Sequence, residues 1–138
     1  MDEDQEIAGA ALMREFVPSS PFAALLGIAV EELAEDRAVL SLPDRPDLAT
    51  MGTVVHGGAL ATLVDTAAMA AAWCTPDPPA SLRGATAALT VTYLAPAVGE
   101  VRASAAVLNR GRSLVTLDIS ATCGDRLVAR ALATYKLG

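Results

Sequence analysis

Residues 54–73 read VVHGGALATLVDTAAMAAAW, and the fold turns on how this stretch is read. It is mostly apolar and has the length of a membrane span. It also carries His56, Gly57, Gly58 and Asp65, and it lacks basic flanks. An Asp at the centre of a spanning helix costs about 2.5 to 3.5 kcal/mol on insertion scales. A helix buried inside a domain suits the pattern better. Across 59–72 almost every side chain is apolar, so the helix is enclosed on most sides. Gly57-Gly58 opens it, and Thr75-Pro76-Asp77-Pro78-Pro79 ends it.

Working outward, Ile7, Ala8, Ala11, Leu12 and Phe16 fall near helical spacing and predict a short helix over 5–16. Pro18-Ser19-Ser20-Pro21 breaks it. Ser20 is placed to cap a second short helix, with Pro21 at its first position, ending at Gly27. Ile28–Leu33 and Arg37–Leu42 read as strands around a polar turn, and 43–52 as a loop. The rest reads as β. Thr86–Leu94 alternates, with Ala87, Leu89, Val91 and Tyr93 on one face and Thr86, Ala88, Thr90 and Thr92 on the other. Val101–Leu108, Leu114–Thr122 and Leu127–Leu137 follow, with turn signals at Asn109-Arg110-Gly111-Arg112 and Cys123-Gly124-Asp125-Arg126. The expected layout is α+β: one long central helix against an antiparallel sheet, short N-terminal helices, and the last four strands in a meander. The whole of 1–138 is expected to be a single domain, with 1–20 as a helical extension. One helix per sheet leaves strand edges open, and dimerisation is the natural remedy.

Composition narrows the function classes. Hydrophobic residues make up 53% and aromatics only 4%, so the core must be built from Ala, Val and Leu. The net charge is −6 with no basic stripe, which argues against a nucleic-acid partner. Two isolated cysteines, Cys74 and Cys123, and a single histidine are too few for a structural zinc site. They fit reduced thiols in a cytoplasmic protein. The start, Met1-Asp2-Glu3-Asp4, is acidic where a signal peptide needs basic residues. No metal, redox cofactor or membrane partner is implied.

The chemistry gathers on the long helix. A carboxylate in an apolar helix is costly unless partnered, and Asp is a poor mid-helix residue, so Asp65 needs a reason to be there. Thr62, Asp65, Thr66 and Met69 share one helix face. At the other end, the first amides of the helix lack intrahelical acceptors, and two glycines let a ligand approach them closely. That is the requirement for an oxyanion hole. Gly57 and Asp65 lie roughly 12 Å apart along the axis at about 1.5 Å per residue. One helix can hardly serve both ends of a single bond. The expectation is that the Gly57 amide of one chain and Asp65 of another share each site.

The run from Gly52 through His56-Gly57-Gly58 to Asp65 resembles the G-x-x-x-H-G-G…D signature of the PaaI-like, phenylacetyl-CoA type, hot-dog-fold acyl-CoA thioesterases. Thr90-Val91-Thr92-Tyr93-Leu94-Ala95-Pro96-Ala97 with Gly99, and the closing Ala133-Thr134-Tyr135-Lys136, resemble the same family. The likeness covers nearly the whole chain from about Pro21. It implies a hot-dog fold and hydrolysis of an acyl-CoA or aryl-CoA thioester to free acid and CoA. It implies that the Gly57 N–H polarises the thioester carbonyl, and that Asp65 activates water as general base or attacks directly. It implies that Thr86 helps hold the water, reaching from the partner subunit, and that His56 steadies the loop entering the helix. Gly58 and Met69 fall beside the bound substrate, and Arg110, Arg112 and Ser113 are candidates for the CoA phosphates. The assembly implied is a homodimer that pairs into a dimer-of-dimers tetramer. One departure stands out: Thr50 occupies a position where many members carry Asn or Gln. The expected pocket walls are Met51, Ala59, Leu63, Met69 and residues near Trp73.

Two rival readings differ in chemistry. A non-catalytic acyl-CoA-binding hot-dog domain draws on Thr50, but a pure binder gains nothing from a carboxylate beside the acyl group. A hydratase needs an Asp and His pair, and the spacing of His56 from Asp65 does not supply it. An acyl-carrier-protein thioester would bring an acidic surface to an acidic protein, so CoA is the preferred carrier.

Overall fold

A computed structural model of the chain describes residues 6–138. Gln5 and the acidic start Met1–Asp4 lie outside the described residues. The elements are α1 (Ala8–Ser19), α2 (Pro21–Leu26), β1 (Ala29–Ala34), β2 (Arg37–Leu42), a 3-10 turn (Pro46–Leu48), β3 (Ala49–Met51), β4 (Val54–Val55), α3 (Gly57–Trp73), β5 (Gly84–Tyr93), β6 (Val101–Arg110), β7 (Leu114–Cys123) and β8 (Arg126–Leu137). This is the α+β hot-dog arrangement: a six-stranded antiparallel sheet, one long central helix, and two short N-terminal helices. The first helix runs to Ser19 and takes Pro18 into its last turn. Ser20 precedes α2, but its hydroxyl makes no capping bond. Gly27, at φ 74°, closes α2 in the left-handed region that glycine enters without strain.

The sheet order is β1-β2-β6-β7-β8-β5. The expected four-strand meander therefore holds only for β6, β7 and β8; β5 pairs with β8 instead of β6. The reason is that β2 already occupies the free side of β6, from Arg37↔Ala106 to Leu42↔Val101. The 94–100 segment must then cross about three strand spacings, roughly 14 Å at about 4.8 Å each, well within its extended reach. On the way it lies over the start of α3, where the Val55 N–H donates to the Ala97 carbonyl at 2.9 Å.

The helix-facing side of the sheet is lined by Leu40, Leu42, Val101, Ala103, Ala105, Val115, Leu117, Ile119, Ala121, Ala129, Ala131 and Ala133, all buried. Against them α3 sets Leu60, Leu63, Val64, Ala67, Ala68, Ala70 and Ala71. Small side chains on both surfaces let helix and sheet approach closely. Helix α1 closes over the far end of α3. Gly9 donates its N–H to the Thr75 carbonyl at 3.0 Å, and a Cβ at this position would run into the Trp73 carbonyl oxygen.

Candidate active site

The start of α3 is built by backbone and side chains together. His56 is the N-cap, and its Nδ1 accepts the Gly58 N–H at 2.8 Å. The His56 N–H donates to the Leu48 carbonyl at 2.8 Å, and its carbonyl accepts from Leu60 at 3.0 Å. Tyr93, at the end of β5, donates its hydroxyl to the Gly57 carbonyl at 2.8 Å. The Gly57 N–H finds no acceptor among the described residues. It is an unclaimed donor at the positive end of a seventeen-residue helix.

Two turns along, Asp65 is half-buried and its Oδ1 accepts the Thr86 hydroxyl at 2.6 Å. Both residues belong to one chain, so the expectation that Thr86 reaches in from a partner subunit is corrected. The cause is a β-bulge. Thr86 pairs with Tyr135 and Ala88 with Thr134, leaving Ala87 as the extra residue. Strict alternation would turn Thr86 away from the helix, with Thr90 and Thr92. The bulge shifts the phase, so Thr86 shares the helix side with Leu89, Val91 and Tyr93. The neighbouring hydroxyls on α3 are already used: Thr62 donates to the Gly58 carbonyl at 2.8 Å and Thr66 to the Thr62 carbonyl at 2.7 Å. Asp65 is the one carboxylate of this face, and Thr86 is its one side-chain partner among the described residues.

Comparison with known proteins identifies the family. Residues 52–130 match the model of the Thioesterase superfamily. A candidate esterase of Halobacterium salinarum is 34% identical over 114 residues, covering 80% of this chain and 76% of its own. The chain belongs to the thioesterase superfamily. A thioesterase family protein from Silicibacter pomeroyi superposes with a TM-score of 0.87 at 25% identity, over 95% of this chain and all of that one. A mutant form of the phenylacetic acid degradation protein PaaI from Thermus thermophilus does so with a TM-score of 0.73 at 28% identity, over 86% and 100%. The protein is thus a hydrolase of the thioesterase class.

Around this site, the Gly57-Gly58 peptide of the thioesterase separates two open clefts. One, of about 350 Å³, is lined by Phe22, Leu26, Leu48, Ala49 and Ala59 together with Asp47, His56, Gly58 and Thr62. The other, of about 380 Å³, runs past Val54, Gly57, Tyr93, Leu94 and Pro96. Of the expected pocket walls, Ala59 lines the first cleft and Met69 is half-buried on the Asp65 face. Leu63 does not contribute, because it is buried in the core, as Trp73 itself is. Thr50 and Met51 are exposed on β3.

The β6–β7 hairpin holds a second correction. Arg110 is not free to meet a phosphate. Its Nε and Nη2 donate to Asp36 Oδ1 at 3.0 and 2.7 Å, and its Nη1 donates to the Ala72 carbonyl at 2.9 Å. Strand β6 runs on to Arg110, which delivers the guanidinium to the C-terminal end of α3, where a cation suits the helix dipole. Arg112 and Ser113 remain at the turn.

Sequence reasoning missed two groups. Trp73 Nε1 donates to the buried Tyr135 hydroxyl at 3.0 Å. Burial pushes the Tyr135 phenol above its ordinary value, the Trp73 hydrogen bond opposes this, and the charge of Asp65 adds to it. The other is the Tyr93 hydroxyl. In a chain with two tyrosines, each of these rings could have been marked as needing a polar partner when packed. Among the described residues no group of three or more His, Cys, Asp or Glu side chains could hold a metal ion, and no helix is long and apolar enough to cross a membrane.

Proposed function

We propose that this thioesterase hydrolyses acyl-CoA or aryl-CoA thioesters at a site shared by two chains. The observation that carries the reading is the Asp65 carboxylate. It stands half-buried on α3, held by Thr86 at 2.6 Å, while the unclaimed Gly57 N–H lies two turns away on the same helix. A second chain, with its helix antiparallel, would bring its own Gly57 amide opposite Asp65. The exposed edge strand β5, with Tyr93, Leu94 and Leu132 uncovered nearby, supports pairing of this kind. The same reasoning extends to a dimer of dimers, since apolar residues such as Leu108 and Leu114 also stand exposed.

In this reading the thioester carbonyl accepts the Gly57 N–H, which stabilises negative charge as it develops on oxygen. Asp65 takes a proton from water, the water oxygen bonds to the carbonyl carbon, and the C–S bond breaks to release CoA thiolate, which recovers the proton. In the alternative sequence, Asp65 itself attacks and water hydrolyses the resulting anhydride. Thr86 orients the carboxylate in both. His56 is a cap and not a base, because its Nδ1 is occupied by Gly58. The acyl group fits the cleft lined by Phe22, Leu26, Leu48 and Ala59. Arg112 and Ser113 are the candidates left for the CoA phosphates, with Thr50 and Met69 flanking the chain of the substrate.

The test is thiol release from a panel of acyl-CoA and aryl-CoA thioesters. Binding without release would make the protein an acyl-CoA-binding domain. Mixing Asp65→Asn chains with Gly57→Pro chains tests the sharing. Random dimers should recover about one quarter of wild-type activity, because half of the dimers hold one intact site. No recovery in proven mixed dimers would place both groups in one chain's site.

A further inference from the structure

The geometry points to Tyr93 as a positioning residue that clamps the Gly57-Gly58 peptide and so aims the Gly57 N–H at the substrate. The inference rests on the reading of Gly57 as the oxyanion donor. Two adjacent glycines make a soft backbone, free of the restraint that a Cβ imposes. An oxyanion donor works only if it is already in place when charge develops. The helix start must therefore be stiffened from outside.

The structure supplies the stiffening at both edges of one peptide unit. The carbonyl of Gly57 and the N–H of Gly58 belong to the same plane. Tyr93 donates to the first at 2.8 Å, and His56 Nδ1 accepts from the second at 2.8 Å. The preceding plane is held by the Leu60 N–H, which donates to the His56 carbonyl at 3.0 Å. Gly57 sits between two fixed planes, and its N–H is the group left over. The tyrosine ring also lies against the glycine: a Cβ on Gly57 would stand 3.5 Å from Tyr93 Cζ, at ordinary contact. Tyr93 is itself anchored. It pairs with Ala129 at the end of β5, and the next residue, Leu94, donates its N–H to the Val128 carbonyl at 2.8 Å.

A hydroxyl that merely finished a helix end would show its loss in stability. A positioning hydroxyl shows it in turnover. Tyr93→Phe keeps the ring and removes one hydrogen bond. The expected result is a kcat lower by roughly ten-fold, short of the loss of a whole donor. KM should stay within about two-fold, because the lost effect belongs to the transition state. The melting temperature should be nearly unchanged. An unchanged kcat, or a lower melting temperature with full turnover in the folded fraction, overturns the inference. Gly57→Pro, which deletes the amide hydrogen, separates the two levels of argument. If Gly57→Pro is inactive and Tyr93→Phe is fully active, only the Tyr93 inference fails. If Gly57→Pro keeps its turnover, the oxyanion reading fails and takes the Tyr93 inference with it.

Discussion

A backbone amide cannot be deleted by an ordinary side-chain change, but at Gly57 the local structure permits it. Gly57 is the first residue of α3, where proline is at home because the missing N–H has no helical partner. The residue before a proline favours extended backbone, and His56 already has φ −59° and ψ 133°. No acceptor among the described residues is deprived, and the nearest neighbour of an added Cβ is the Tyr93 ring, at ordinary contact. Gly57→Pro should therefore fold and melt within a few degrees of wild type. Its turnover should collapse. Loss of a single oxyanion-hole donor costs about 10²–10³ in kcat, or roughly 2.7–4 kcal/mol of transition-state stabilisation. The assay is thiol release from the best acyl-CoA substrate, with kcat and KM read separately and folding checked by circular dichroism. Gly57→Ala, which keeps the donor, should lose far less. A folded Gly57→Pro enzyme with kcat within about three-fold of wild type would refute the assignment. Equal losses in the proline and alanine variants would instead identify crowding as the cause.

Three further outcomes are expected. Thr86→Val removes the hydrogen bond to Asp65 and should lower kcat roughly ten-fold, the size of one bond to a charged group; Thr86→Ser should restore it, and failure to do so would point to packing. Gly9→Ala forces a Cβ against the backbone of Trp73 and Thr75 and should cost about 1–3 kcal/mol, seen as a lower urea midpoint at unchanged slope; an unchanged midpoint would mean that α1 is free to shift. Burial pushes the Cys74 thiol up to about 12 from 9.0, with the charge of Glu6 adding to it and those of Arg110 and Arg14 opposing. The unfolded chain then gives up this proton first, so stability is fully present below about pH 9 and falls as pH rises toward the folded value. Cys74→Ala should flatten that alkaline slope, and an unaltered slope would assign it to other groups such as Tyr135.

Much of the fold was legible because its signals are local. The long helix announces itself by an apolar run opened at Gly57 and stopped at Thr75–Pro79, and the structure places it at Gly57–Trp73. The strands follow from alternation and turn residues. Their order does not, because alternation says which face a residue takes and nothing about which neighbour its strand joins. The bulge at Ala87 was hidden for a related reason. In Gly84–Ala88 both faces carry small residues, so a slip of one position leaves no mark in the pattern. Asp65 was conspicuous as a lone charge among alanines, and its partner Thr86 was identified only through family resemblance. The Tyr93 contact joins residues 36 positions apart and carries no local signature.

The slip at Ala87 has a consequence for how this edge strand can change. Between Ala88 and Tyr93 the strand keeps pace with β8, whereas Thr86 stands one step out of phase with that run. The hydroxyl that serves Asp65 thus depends, at the present chain length, on the bulge being kept, more than on the identity of the residues around it. Removing Ala87 would erase the bulge yet leave Thr86 opposite Tyr135 on the helix side, whereas a regular strand of unchanged length would set Ala87 opposite Tyr135 and turn Thr86 outward. In this protein a one-step register slip on an exposed edge can act as a functional off-switch, a lesion that no comparison of side chains in the core would register.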